Sequence, residues 1–324
     1  MDAPIRAATA WRHLRPLLYN SRKKAPPFAG PTFIVSPRFA LLLPLLICTL
    51  IGAQTSTADA RALFEERRYP EAEAAFAARI AIRPDDAEAH FYLGRLALAR
   101  QQIAESLPHL ERAVELAPNQ AEYQFQLGAA SMQQAGRLGL SFKALGRVKK
   151  GRLALEQAVA LEPRNVSYRQ AILEFYAQAP GIAGGGIDKA YAQAEALRPL
   201  DARAATLAFA GLQAREKNYV EAISLVEALL QGSPNDFQAL YFIGRTAAEH
   251  GVALDRGIAA LQTCLTLTPP PRSVGHASVN YRLGQALTKS GSASAARAAF
   301  EAVLKIDPNH AGARTELDRM PTER

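Results

Sequence analysis

Apolar residues recur along this chain with helical spacing, in blocks that each end at a proline. One block, residues 87–118, places its apolar and small positions at Leu93-Gly94, Leu98, Leu110, Ala113-Val114 and Pro118. Residues three or four apart lie on one face of an α-helix. Each block therefore predicts two antiparallel helices, with a small residue where they cross closely.

The same block returns at a nearly constant interval. Most of the intervals are 34 to 36 residues, and the prolines are Pro84, Pro118, Pro163, Pro199, Pro234, Pro269 and Pro308. A proline cannot continue a helix because it lacks the amide hydrogen. A period in this range is typical of stacked helix–turn–helix units. The pattern therefore predicts an all-α chain of stacked helix pairs.

The blocks resemble those of the tetratricopeptide repeat proteins over about residues 59–320. The resemblance lies in the Leu-Gly, Ala, Phe/Leu, Ala and Pro positions. The resemblance implies a right-handed α-solenoid of about six to seven helix pairs at 61–320, with a closing helix from Ala311 to Met320 and a tail at 321–324. The fourth unit departs from the pattern, with Ile172-Leu173 in place of Leu-Gly. The first unit has Arg79 where a small residue is usual, which we expect an end unit to tolerate because its outer face meets water.

The N-terminal segment is predicted to be an export signal. Residues 39–53 are apolar and uncharged, too few for a comfortable membrane span of about 20 residues, and Arg38 precedes them. Small-residue cleavage patterns follow at 51–53 and 58–60. We expect a disordered basic leader at 1–38, or a true start near Val35, then a signal peptide or membrane anchor at 39–60. The protein is expected to be bacterial and periplasmic, or anchored in the inner membrane and facing the periplasm.

The charge distribution and the cysteine content exclude some classes of function and of structure. The chain has a net charge of +8. Residues 1–60 hold seven basic and two acidic side chains, which leaves 31 basic and 28 acidic in residues 61–324. Because basic and acidic side chains nearly balance in residues 61–324, this part has no large cationic surface for nucleic-acid binding. Only Cys264 lies in that part, so no disulfide framework forms there, and it is predicted to be a small buried residue.

The resemblance implies that the first helix of each pair lines a concave, partner-binding face. The residues assigned to this groove are Phe91, Arg95, Phe125, Glu174, Tyr241, Arg245, Tyr281 and Gln285. Aromatic anchors beside arginines are typical of peptide-binding surfaces. The alternative for Phe91 and Phe125 is packing between helices. The predicted function is a non-catalytic scaffold or adaptor of the cell envelope that binds other proteins.

The third unit is about 11 residues too long, between Gln134 and Lys150. Leu138, Phe142 and Leu145 have helical spacing there, which predicts a lengthened second helix with a basic face of Lys143, Arg147 and Lys150. This face is either solvated or a patch for an acidic partner or lipid headgroups.

The fourth unit contains a glycine cluster, Gly184, Gly185 and Gly186, before a helix that carries Lys189. Free amide groups of such a loop can bind an anion; the alternative is a long turn that needs positive φ angles. With the basic helix, this cluster suggests a second function, binding of a ligand or envelope polymer. A third, a membrane-anchored assembly chaperone, depends on whether residues 39–53 stay attached.

Catalytic chemistry is not indicated. No two of the six histidines have the spacing of a helical metal motif, and no Gly-x-Ser-x-Gly occurs. His90 and His109 fall in the two helices of one unit, where they can meet. We expect no catalytic residue, metal or cofactor.

Overall fold

The computed structural model describes residues 57–139, 141–271 and 273–320, and within these ranges the regular structure is helical. The fifteen α-helices of these ranges are α1 (Thr57–Glu65), α2 (Tyr69–Ile82), α3 (Ala87–Ala99), α4 (Ile103–Leu116), α5 (Ala121–Leu138), α6 (Phe142–Leu161), α7 (Val166–Gln178), α8 (Ile187–Leu197), α9 (Ala202–Arg215), α10 (Tyr219–Gly232), α11 (Phe237–His250), α12 (Leu254–Thr266), α13 (His276–Lys289), α14 (Ala293–Ile306) and α15 (Ala311–Arg319).

Consecutive helices pack against each other from one end of the stack to the other. They form seven pairs, α1–α2 through α13–α14, and α15 packs on α14. The predicted all-α solenoid of helix pairs with a closing helix is therefore confirmed.

The periodic prolines lie in the links between pairs, as predicted. The second helix of a pair ends two residues before its proline, except for α12, where the gap is three. In several links an Asp or Asn then starts the next first helix. Asp86, for example, accepts a hydrogen bond from the Ala89 amide at 3.0 Å, which satisfies one of the amide groups that have no partner within the helix.

The Leu-Gly pairs are points of close helix contact, as predicted. A Cβ atom on Gly94 would lie 2.7 Å from Leu110, and one on Gly284 would lie 2.6 Å from Phe300. Real carbon atoms do not approach so closely without displacing a neighbour, so glycine sets the spacing of these pairs.

The apolar core is a series of clusters along the stack. Fully buried members come from different units and include Phe76, Ile172 and Phe300. Ala60 is also fully buried, and α1 begins at Thr57. The solenoid thus starts before the predicted boundary at residue 61; the rest of the predicted leader and signal segment lies outside the described residues.

The third unit is long because both of its helices are long. Helix α5 has 18 residues and α6 has 20. The predicted lengthening of the second helix is confirmed by α6, but Leu138 was wrongly placed on that helix, since Leu138 ends α5 and Phe142 begins α6. Gly139 turns the chain with a φ of 61°, and the Ser141 hydroxyl accepts from the Ala144 amide at 3.1 Å. The apolar spacing misled because it continues across this short turn.

Arg79 does not face water, contrary to the expectation for an end unit. Only 12% of its side chain is accessible, and its Nη2 lies 2.8 Å from Asp86 Oδ2 and 3.1 Å from Glu88 Oε2. The unit accommodates arginine through ion pairs with α3 and its N-terminal link, which the repeat pattern does not encode.

Candidate functional site

Arg95 of α3 lies within a group of aromatic rings on the first helices. Its guanidinium carbon is 4.5 Å from the ring centroid of Phe64 and 5.4 Å from that of Tyr92. Its Nη1 is 3.5 Å from Glu122 Oε1 on α5. Cation–π contacts and an ion pair thus hold this arginine within the protein, across three units.

Phe91 and Phe125 connect successive first helices by ring stacking. Phe91 is 2% exposed and stacks on Tyr123 with a centroid distance of 4.2 Å. Phe125 is half-buried and stacks on Tyr168 at 4.7 Å. Burial raises the pKa of Tyr123 to about 12, so its hydroxyl stays protonated. Phe91 is therefore a packing residue, and the groove assignment for it was wrong.

Tyr241 and Arg245 lie one helical turn apart on α11, and both are half-buried. The Arg245 guanidinium carbon is 5.8 Å from the ring centroid of Phe242. Its Nε is buried and has no hydrogen-bond partner within the described part of the chain. A buried polar group without a partner is costly, and because this nitrogen is closed to solvent, an acceptor from another molecule reaches it only when the side chain shifts.

Glu249, the carboxylate that follows Arg245 on α11, already pairs with another arginine. Glu249 forms an ion pair with Arg282 of α13 at 2.8 Å, and its carbonyl oxygen accepts from Lys289 Nζ at 2.7 Å. Burial lowers the pKa of His250 next to it; the nearby Glu249 raises that pKa, whereas Lys289 and Arg245 lower it further. The surroundings of Arg245 therefore favour a negatively charged group from another molecule.

Three other predicted groove residues are engaged within the protein. Glu174 accepts from Arg215 Nη2 at 2.8 Å, and Gln285 Oε1 accepts from Arg282 Nη1 at 2.9 Å. Tyr281 is half-buried and contacts the closing helix, where a Cβ on Gly312 would lie 2.8 Å from its hydroxyl oxygen. The assignment of Tyr281 to the groove stays a prediction, and the contact with α15 could not be foreseen because repeat register does not show where α15 folds back.

The predicted basic face on α6 is partly neutralised. Arg147 and Lys150 both pair with Glu111 of α4, the latter at 2.9 Å, whereas Lys143 is exposed. Burial raises the pKa of Glu111, but hydrogen bonds from Lys150 and Arg147 lower it more, so the carboxylate stays ionised.

The glycine loop has no free amide for an anion at its three glycines. The amides of Gly184, Gly185 and Gly186 donate to the carbonyl oxygens of Gly181, Pro180 and Tyr176 at 2.9, 3.2 and 2.9 Å. Lys189 Nζ donates to the Gly184 carbonyl at 3.1 Å. Gly184 has a φ of 88° and Gly186 one of 159°. The loop is therefore the predicted positive-φ turn, and the anion-binding hypothesis for it was wrong.

Comparison with known proteins agrees with this architecture. Residues 57–134 and residues 277–310 each match a model of the tetratricopeptide repeat family. The chain is a tetratricopeptide repeat protein. Proteins of this type generally act as scaffolds for protein interactions. No curated protein sequence matches the chain.

Solved tetratricopeptide repeat structures share the fold at low sequence identity. A tetratricopeptide repeat protein from Parabacteroides merdae is 14% identical with a TM-score of 0.61, covering 82% of this chain and 96% of its own. The C-terminal part of one from Cytophaga hutchinsonii is 15% identical, with a TM-score of 0.53 and coverages of 81% and 99%. The APC/C hetero-tetramer Cut9–Hcn1 is 15% identical at 0.52, with coverages of 81% and 48%.

Outside the first-helix face, the described residues of this tetratricopeptide repeat protein contain two further notable groups. His90 and His109 come together, with their Nδ1 atoms 3.1 Å apart. Cys264 is fully buried, as predicted, and burial raises its pKa to about 12. No group of three or more metal-ligating side chains occurs in the same ranges.

No helix within residues 57–139, 141–271 and 273–320 combines the length and apolar character needed to cross a bilayer. The apolar segment 39–53 lies outside these ranges.

The sequence did not predict two residues near this site. Phe242 lies beside Arg245, and Arg282 pairs with Glu249 of the same helix, although each directly follows a tyrosine assigned to the groove.

Proposed function

We propose that this tetratricopeptide repeat protein is a non-catalytic scaffold or adaptor that captures a segment of another protein on its first-helix face. The observation that carries the proposal is Arg245, whose buried Nε has no partner in the described chain, beside the half-buried Tyr241. An extended or helical segment with a carboxylate next to an apolar side chain fits this combination.

In this mechanism a partner carboxylate accepts hydrogen bonds from Arg245, while an apolar side chain of the partner covers Tyr241 and Phe242. Hydrogen bonds to a charged group contribute about 1.5–3 kcal/mol each. Arg95 is a weaker candidate because a partner would have to displace Glu122, which lies 3.5 Å away.

Peptides selected from a random library on the immobilised protein test this proposal. We expect the selected peptides to contain Asp or Glu near a large apolar residue. Arg245→Ala should weaken their binding by about 10- to 100-fold, the equivalent of one charge-assisted hydrogen bond. Arg256→Ala is the matched control, because Arg256 pairs with Glu227 between the second helices α12 and α10. Equal affinities for the two variants would refute the site.

We further propose that the protein is bacterial and acts in the cell envelope, exported to the periplasm or held at the inner membrane. The apolar segment 39–53 with Arg38 before it supports this. Retention of that segment would favour a membrane-anchored assembly chaperone over a soluble adaptor. A reporter enzyme that folds only after export, fused after Arg324, should be active in cells; an inactive fusion would refute export.

A further inference from the structure

The turn between α5 and α6 projects from one edge of the solenoid. Helix α5 starts three residues after Pro118, as α3 does after Pro84, and α6 ends two residues before Pro163. The extra length of this pair therefore lies at the turn between its helices. With about five additional residues per helix at about 1.5 Å each, the turn extends roughly 7 Å beyond its neighbours.

This projecting turn carries exposed apolar side chains. Phe142 is 96% exposed and Ile182, in the corresponding turn of the next unit, is 86% exposed. They are the most exposed large apolar residues in the described ranges. Together with Leu145 they line one open cleft of about 480 Å³ between α6 and residues 181–184. Exposed apolar side chains that cluster in this way mark an interaction surface.

The charged side chains that line the cleft, Lys149 and Arg152, are both basic, and Arg152 pairs with Glu156. The sequence contains no Asp or Glu between Glu122 and Glu156. Lys143 and Lys149 are exposed, and neither forms an ion pair with a carboxylate of the described residues. Lys149 lines the cleft itself.

We propose that this edge, formed by Phe142, Leu145, Ile182, Lys143 and Lys149, binds the surface of an anionic phospholipid bilayer. The apolar side chains enter the interfacial region, while the lysines stay at the level of the headgroup phosphates. Neither an apolar contact nor a basic cluster alone gives stable attachment, whereas the two together do.

A bilayer fits this edge better than a protein does. The glycine amides beside the cleft are used within the loop, so they do not recognise a peptide backbone. A bilayer requires only apolar insertion and positive charge. The edge is separate from the first-helix face around Arg245, so membrane attachment leaves that face accessible.

Tryptophan fluorescence of the full chain tests the proposal at the level of one residue. The single native tryptophan, Trp11, is replaced by Phe, and Phe142→Trp is introduced. The matched control is Ile82→Trp, because Ile82 is 75% exposed at the end of α2, on the opposite edge. With phosphatidylcholine–phosphatidylglycerol vesicles that contain brominated acyl chains, we expect a blue shift and quenching for Phe142→Trp alone. Attachment through residues 39–53 does not produce this difference.

A charge variant tests the electrostatic part. Lys143→Gln with Lys149→Gln should lower the vesicle partition coefficient reported by Phe142→Trp about 30-fold, whereas Arg164→Gln with Lys305→Gln on the opposite edge should change it less than about twofold. Absence of quenching, or equal quenching in the Ile82→Trp chain, overturns the proposal. A blue shift that needs no vesicles also overturns it, pointing to a second copy if it rises with the concentration of this chain and to a protein partner if it requires added envelope protein.

Discussion

Arg79 donates to Asp86 from both Nε and Nη2, at 3.0 and 2.8 Å, and joins the end of α2 to the N-cap of α3. Only 12% and 5% of the two side chains are exposed. Burial raises the pKa of Asp86, but the bonds from the Ala89 amide and Arg79 outweigh it, so the pKa is lowered overall. The pair therefore keeps its negative partner ionised near neutral pH.

Loss of this ion pair should destabilise the N-terminal units. We expect Arg79→Met to lower the free energy of unfolding by about 2–3 kcal/mol, because a buried carboxylate loses its main partner. Urea denaturation measures this. Arg83→Met is the control, since Arg83 also contacts Asp86 but is 65% exposed, and should cost under about 1 kcal/mol. Equal losses would show that burial does not strengthen the Arg79 pair.

Two helical glycines should respond to alanine in opposite directions. Gly284→Ala places a Cβ 2.6 Å from the Phe300 ring, so we expect a loss of about 1–3 kcal/mol. Gly211→Ala meets no atom within 4 Å and should stabilise by up to about 1 kcal/mol through helix propensity. Thermal unfolding of both variants compares them. A destabilised Gly211→Ala would mean that α9 packs more closely than described.

Stability should decrease as the pH falls below about 6.5. Burial and the neighbouring His90 lower the pKa of His109. The unfolded chain therefore binds a proton that the folded chain resists, so the stabilisation is complete above the unfolded pKa of about 6.5 and is lost on acidification below it. His109→Gln should flatten the dependence of the melting temperature on pH between 8 and 5.5. An unchanged slope in His109→Gln would refute this role.

If the N-terminal segment is removed on export, cleavage should follow Ala53 and not Ala60. Ala60 is fully buried in the first core cluster, and α1 begins at Thr57. Cleavage after Ala60 would remove the first turn of α1. Mass spectrometry of the mature protein should give Gln54 as the first residue. A mature chain that begins at Arg61 would contradict the packing assigned to α1.

The sequence was sufficient to predict the features of the fold that depend on short-range patterns of residues. Periodic prolines located the links, and Gly94 and Gly284 marked close helix contacts because only a missing Cβ permits them. It did not predict contacts made across units. Arg147 pairs with Glu111 from 36 positions earlier, and Tyr281 contacts a helix that begins 30 residues later. The turn at Gly139 was missed because Leu138 and Phe142 keep helical spacing on either side of it.

We expect another protein to bind the first-helix face near Arg245. Site-specific photo-crosslinking in cells tests this binding most directly. A photoreactive phenylalanine derivative is placed at Tyr241 or, as a control, at Leu225, which is 39% exposed on the second helix α10. We expect a discrete crosslinked protein from position 241 that is absent from position 225 and disappears when Arg245→Ala is added. The same product from both positions, or one unaffected by Arg245→Ala, would contradict the proposed site.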